Sequence, residues 1–219
     1  MSTDNWTIAE RNLFRNIVKD LRRPNSVYKN KVSKYDDILK ACIVSKSKLS
    51  SQQWGPLMES KIKKIFSATK VKDNTSGDCV ISGSNVEIKV SLGDSTGGYN
   101  FVQLRPSHNI DYYIFLVYDV KDGEFGKYYL LLIPESDMIA LIKKYGHLAH
   151  GTKKKLGGAE DTDMTKTNNE YAIRCNPHKN GKPLEIWNVL KKYNKTIPEI
   201  KDTLETLEKE NTKHVEIST

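Results

Sequence analysis

Apolar residues recur along the chain with two periods, and the change of period divides it. Near the start, Leu13, Phe14, Ile17, Val18 and Leu21 follow the spacing of an amphipathic helix that Pro24 ends. A second helix is predicted over Tyr35–Val44. A third runs from about Gln52–Pro56 to Ser67, with Trp54, Met58, Ile62, Ile65 and Phe66 on its inner face. From Asp78 the period drops to two. "DCVIS" and "NVEIKVSL" read as strands around a tight "GSN" turn, and "FVQLR" as a short extended piece before Pro106. "DYYIFLVYDV" and "KYYLLLI" are strand-like runs joined by "KDGEFG".

The helical period then returns over Glu135–Tyr145, with Met138, Leu141, Ile142 and Tyr145 on one face and Gly146 as the stop. His147–Glu170 has no periodicity, and a loop of that length in a compact domain is more often functional or mobile than idle. "EYAIR" is a further strand. Helices over Pro183–Tyr193 and Ile197–Glu210 finish the pattern, the last with Pro198 in its first turn and Ile197, Ile200, Leu204 and Leu207 inward. This order predicts an α/β (α+β) fold, one sheet covered by helices, in a single domain over 1–219. It has a helical part over 1–50, a central core over 53–134, a loop over 147–170 and closing helices over 183–210.

Composition narrows the class. With 219 residues, 37% hydrophobic and 28% charged, the chain can bury a substantial core. No apolar run approaches the roughly 20 residues of a spanning helix, and "MSTDNWTIAE" has no signal-peptide pattern, so no membrane partner is expected. Three widely spaced cysteines, Cys42, Cys79 and Cys175, suit free thiols, and an intracellular, cytoplasmic protein is expected. The net charge of +8 points weakly to a polyanionic partner, which only a site can make specific.

The candidate site lies in "SGDCVISGSNVEIKVS". In a strand, Glu87, Lys89 and Ser91 share one face while Val86, Ile88 and Val90 enter the core. If "DCVIS" pairs with this strand, Asp78 stands close to Glu87, and two adjacent carboxylates repel unless a cation lies between them. Oxygen ligands of this kind suit Mg²⁺, and the Ile88 carbonyl can add another. Lys89 can hold a water aimed at a phosphorus, which together makes a phosphodiesterase site. A strand face bearing Glu and Lys is also a common solvated surface, so the pattern alone leaves both readings open.

Asp78, Glu87 and Lys89, read as D-x8-E-x-K with "FVQLRP" and "DYYIFLVYD" following, resemble the PD-(D/E)XK nuclease superfamily and, within it, type II restriction endonucleases. The resemblance covers about Gln53–Pro134 and departs from the pattern in having Gly77 where the name-giving proline stands. It implies a helix-flanked mixed sheet of four or five strands and Mg²⁺-dependent hydrolysis of double-stranded DNA, with Mn²⁺ as a substitute. Asp78 and Glu87 would be ligands and Lys89 would orient the attacking water. A junction resolvase or repair nuclease, or a non-cleaving DNA-binding protein of the same fold, is the alternative.

Glu59 borders the apolar face of the third helix, and "WGPLMES" resembles the helix that sends a glutamate into the metal site in this family. Gln103 and Arg105 alternate on "FVQLR", and the resemblance gives them a place at the site edge, Arg105 near a phosphate. Ser91, on the Glu87 face, is counted with the DNA contacts. His147, His150, Lys153, Lys154 and Lys155 open the long loop and are expected against DNA, or merely in solvent. Cutting two strands symmetrically with one site per chain predicts a homodimer. A zinc site from His147, His150, Cys175 and His178 is the weaker reading of those residues, since the two pairs are far apart. Tyr112, Tyr113, Tyr128 and Tyr129 are expected to pack within strands.

Overall fold

The structure is a computed structural model and describes residues 34–48, 51–93, 97–122, 125–149 and 169–217. The expected helix around Leu13–Leu21 and the loop residues His150, Lys153, Lys154 and Lys155 lie outside the described residues. Helices α1 (Asp37–Lys48) and α2 (Ser51–Ile65) precede strands β1 (Cys79–Ile81), β2 (Ser84–Ser91), β3 (Tyr99–Leu104), β4 (Tyr112–Asp119) and β5 (Lys127–Pro134). Then follow α3 (Glu135–Tyr145), β6 (His147–Leu148), β7 (Tyr171–Cys175), α4 (Lys182–Leu190), a 3-10 turn over Lys191–Tyr193, and α5 (Ile197–Ile217).

The mixed α/β class holds, but the strands form two sheets rather than one. The first has four strands in the order β1-β2-β4-β5, and the second has three in the order β3-β7-β6. Within the first, β1 and β2 are antiparallel, β2 and β4 parallel, and β4 and β5 antiparallel. The second is antiparallel throughout and joins β3 to β7, some seventy residues further along, and β7 to β6, which is too short to carry a readable period. The hairpin turn is Ser82–Gly83, one residue earlier than expected, with φ of 46° and 74°. Both angles lie in the left-handed region that matches the twist of a two-residue hairpin, so Ser84 and Asn85 join β2.

The central strand β4 reads as an unbroken apolar run because it is covered on both faces. Ile114, Leu116 and Tyr118 pack with α1, α2 and α5 through Ile38, Ile43, Met58, Ile62, Ile200 and Leu204. Tyr113, Phe115 and Val117 pack on the other side with the second sheet, α3 and α4, through Phe101, Ile173, Met138, Ile142 and Trp187. Tyr113 and Tyr129 are thus core residues, as their strand pattern suggests. Helix α3 has Glu135 and Asp137 in its first turn and Lys143 and Lys144 in its last, in agreement with the helix dipole. Gly146 ends it with φ −68°, needed for its missing side chain, since a Cβ there would collide with the Ile142 carbonyl oxygen.

Because Ile114 is fully buried at the centre of the sheet, Ile114→Ala should cost about 2–5 kcal/mol of stability by denaturant titration. Leu57→Ala, at a side chain 48% exposed, should stay within about 0.5 kcal/mol.

Candidate active site

The site forms where β1 stops. The last ladder bond between the two strands is donated by the Asp78 N–H to the Val86 carbonyl, 2.9 Å. One step further along β2, the Ile88 N–H has no strand opposite it, and the Asp78 carboxylate takes its place: Oδ2 accepts that N–H at 2.8 Å. The N–H and C=O of one strand residue leave on the same side, so the Ile88 carbonyl points along the same edge. This bond fixes Asp78 beside Glu87.

Glu87 and Lys89 share the β2 face turned to the second sheet, beside Tyr113 and Phe115 in the parallel ladder. That face is not a solvated one. The Glu87 and Lys89 side chains are only 12% and 17% exposed, and Lys89 Nζ lies 2.5 Å from Glu87 Oε1. Burial raises the Glu87 carboxyl above the usual carboxylate range. Lys89 opposes that rise, Asp78 adds to it, and Arg105 weakly lowers it. The acid pair repels as expected, and the described structure answers it with lysine.

Glu59, on α2, belongs to the same cluster through Lys63, one helical turn on, with 2.6 Å between Lys63 Nζ and Glu59 Oε1. Burial pulls the Lys63 ammonium down, but the Glu59 hydrogen bond and the charges of Glu59 and Asp78 hold it above the usual lysine value. The buried Cys79 thiol feels the whole group. Burial first pushes it up to about 12, Lys63 lowers it, and Asp78, Glu59 and Glu87 raise it. The charges of the predicted acids are thus all felt at one thiol. Lys63 was not singled out from sequence, although its i,i+4 spacing from Glu59 is a readable signal.

Other expectations meet a different geometry. Ser91 is buried, and its Oγ accepts the Asn100 N–H at 3.3 Å, so it ties β3 to β2 instead of facing DNA. Gln103 and Arg105 do not alternate on one face, because a bulge interrupts the β3–β7 register between Phe101 and Leu104. Gln103 is exposed with φ 56°, and Arg105 lies past the strand with its Nε 2.9 Å and its Nη2 2.5 Å from Glu170 Oε1. Glu170 has no local signal that could have named it. His147, on β6, pairs with Ala172 of β7, and burial, then Arg174, lowers its imidazole pKa. The zinc reading finds no support among the described residues: Cys175 is a buried free thiol and His178 Nε2 lies 2.9 Å from both carboxylate oxygens of Asp119.

His108 was missed. It sits on the turn after Arg105, its N–H bonded to the Arg105 carbonyl at 3.0 Å. Burial, then the charges of Arg105 and Lys89, depress its pKa. That turn is fastened to the approach to Asp78 by the Asn109 N–H on the Thr75 carbonyl and by Asn85 Nδ2 on the Asn109 carbonyl, 2.9 and 3.1 Å.

Among the described residues no three His, Cys, Asp or Glu side chains converge as a metal-ligand group. The donors at the edge of β2 are two carboxylates and one carbonyl, all oxygen. That set fits a hard cation such as Mg²⁺, which takes one or two carboxylates and keeps several waters.

Gly77 explains the absent proline. Its φ is +82°, which the fixed ring of proline cannot reach, and a Cβ there would lie 2.7 Å from the Val86 carbonyl oxygen and 2.8 Å from Ile110 Cδ1. Gly77→Ala should cost at least ~1–2 kcal/mol for the backbone alone and more for the collision. Differential scanning calorimetry checks this, with a fall in melting temperature as the expected result.

Compared with known proteins, the chain matches no family model, no curated protein and no solved structure.

Proposed function

We propose that the chain is a Mg²⁺-dependent endonuclease that hydrolyses phosphodiester bonds of double-stranded DNA, a type II restriction endonuclease working as a homodimer. The observation that carries the reading is the Asp78–Ile88 bond. It spends a carboxylate on a strand edge where a backbone bond would serve stability as well, and it sets that carboxylate next to the buried Glu87–Lys89 pair. Buried charges gathered against their solvation cost are the usual mark of a working site.

A divalent cation held by Asp78, Glu87 and the Ile88 carbonyl would neutralise charge on the phosphate as water attacks it. The chain's own residues do the rest. Lys89 donates hydrogen bonds from its ammonium and can turn an attacking water toward the phosphorus once Glu87 is engaged elsewhere. Lys63 holds the Glu59 carboxylate in an ion pair on the flanking helix. Arg105 and His108 stand on the rim, where a phosphate can replace Glu170 as the acceptor for the guanidinium fork. The net charge of +8 supplies the long-range attraction for a polyanion. One site cuts one strand, so a dyad-related pair of chains is the simplest way to cut both.

The test is incubation with Mg²⁺ and linear duplex of known sequence, with a four-way junction in parallel. Cutting of the linear duplex at fixed positions, abolished by EDTA, is the expected result. Cutting confined to the junction would replace this reading with a resolvase, and no Mg²⁺-dependent cutting of either would end it. Asp78→Asn and Glu87→Gln should each lower cleavage by at least about 100-fold, as losses of charge-stabilising groups do. Lys89→Ala should lose cleavage yet keep duplex binding in a mobility-shift assay.

A further inference from the structure

Three described non-glycine residues have φ in the left-handed region, and two have an ordinary reason. Ser67 follows the end of α2, where its N–H and that of Ala68 close the last turn on the Lys64 and Lys63 carbonyls. Ser82 belongs to the two-residue hairpin turn. Gln103 is inside a strand. A long side chain held there is strained, and a glycine would do the same backbone work without the strain.

The bulge at Gln103 has a clear effect on display. Tyr99, Phe101 and Leu104 face the core, so the extra residue turns both Val102 and Gln103 outward. Val102 is one of two large apolar side chains exposed among the described residues, at 38%. Asn100, opposite Arg174 in the ladder, is exposed beside them, and its Oδ1 accepts the Arg174 Nε–H at 3.2 Å, which fixes the plane of the guanidinium. Among the described residues the Gln103 amide has no hydrogen-bond partner. The outer face of β3 and β7 thus carries an amide, a branched apolar group, a second amide and a guanidinium. These are the side chains that read adenine, the thymine methyl and guanine from the major groove, which is wide enough to admit a two-stranded ribbon.

The ribbon is also joined to the candidate site. β3 is tied to the end of β2 by the Asn100–Ser91 bond and leads into Arg105, whose charge is felt at Glu87. The basic net charge fits duplex DNA as the occupant of this outer face. Resting on the nuclease reading, we infer that the β3–β7 ribbon enters the major groove and that Gln103, with Asn100 and Arg174, reads base edges and so determines where the enzyme cuts.

Gln103→Gly tests this, because it removes the side chain and suits the backbone it leaves. The variant should melt no lower than the parent and still cut with Mg²⁺. Its rate at the parent's preferred site should fall by roughly 10- to 100-fold, the worth of one good base contact. Sequencing of cut ends from a randomised duplex library should show preference lost at one base pair in each half-site. A merely structural Gln103 would change neither the position nor the degree of preference. A parent that cuts with no sequence preference, or a variant with the parent's cut-end profile, overturns the inference and leaves the nuclease reading standing. A parent that does not cut under Mg²⁺ brings down the nuclease reading itself, and this inference with it.

Discussion

The parallel pairing of β2 with β4 sets the positions of nearly everything else. Six residue pairs from Val86↔Tyr112 to Ser91↔Val117 hold it in register. A slip of one residue would turn Glu87 and Lys89 into the apolar layer of Ile62 and Leu204, and bring Ile88 out toward the second sheet. The start of the ladder is pinned twice at Asn85: its N–H donates to Asp111 Oδ2 at 2.7 Å, and its carbonyl accepts the Asp111 N–H at 2.9 Å. A parallel pair also needs a crossover, because no tight turn can join its strands. Here the connection from Leu92 to Asp111 supplies it, and β3 lies within that connection. The strand beside the candidate site is thus a consequence of the pairing that builds the site.

The charges gathered there oppose stability. Burial favours the protonated form of Glu87, and Asp78 pushes the same way. An isolated pair of buried carboxylates would be intolerable, and three compensations make it possible: Lys89 on Glu87, the Ile88 N–H on Asp78, and Lys63 on Glu59. Apolar residues in these places would stabilise the fold at least as well. What the charged set adds is a cluster of oxygen donors and ammonium groups held on rigid strands and a helix, which a functional site needs and a core does not.

Much of this was legible in the sequence because the relevant physics is local. Alternation in "NVEIKVS" marks which side chains of β2 share a face, and the unbroken run "YIFLVY" marks a strand covered on both sides. Glu59 drew notice from its place beside Ile62 and Phe66, and in the structure it pairs with Lys63. What stayed hidden depends on distant pairing. The division into two sheets follows from β3 choosing β7 across some seventy residues. The grip of Glu170 on Arg105 and of Asp119 on His178 crosses similar separations, with no pattern near any of the four residues. The loss of alternation at Gln103 is a backbone event, and a glutamine in a strand gives no sign of it.

Gly77 joins the two scales. From sequence it is a departure from a pattern, with a glycine standing where a proline should. In the structure its left-handed φ turns the chain directly before Asp78. An ordinary residue there would favour extended backbone, and β1 could then begin earlier and continue along β2. Its N–H groups and carbonyls would satisfy the edge at Ile88, and the Asp78 carboxylate would be displaced from it. The short strand, the open edge and the placing of the first acid therefore share one cause. A ladder that stops one residue early is what allows a side chain, with its charge, to occupy the place of a backbone.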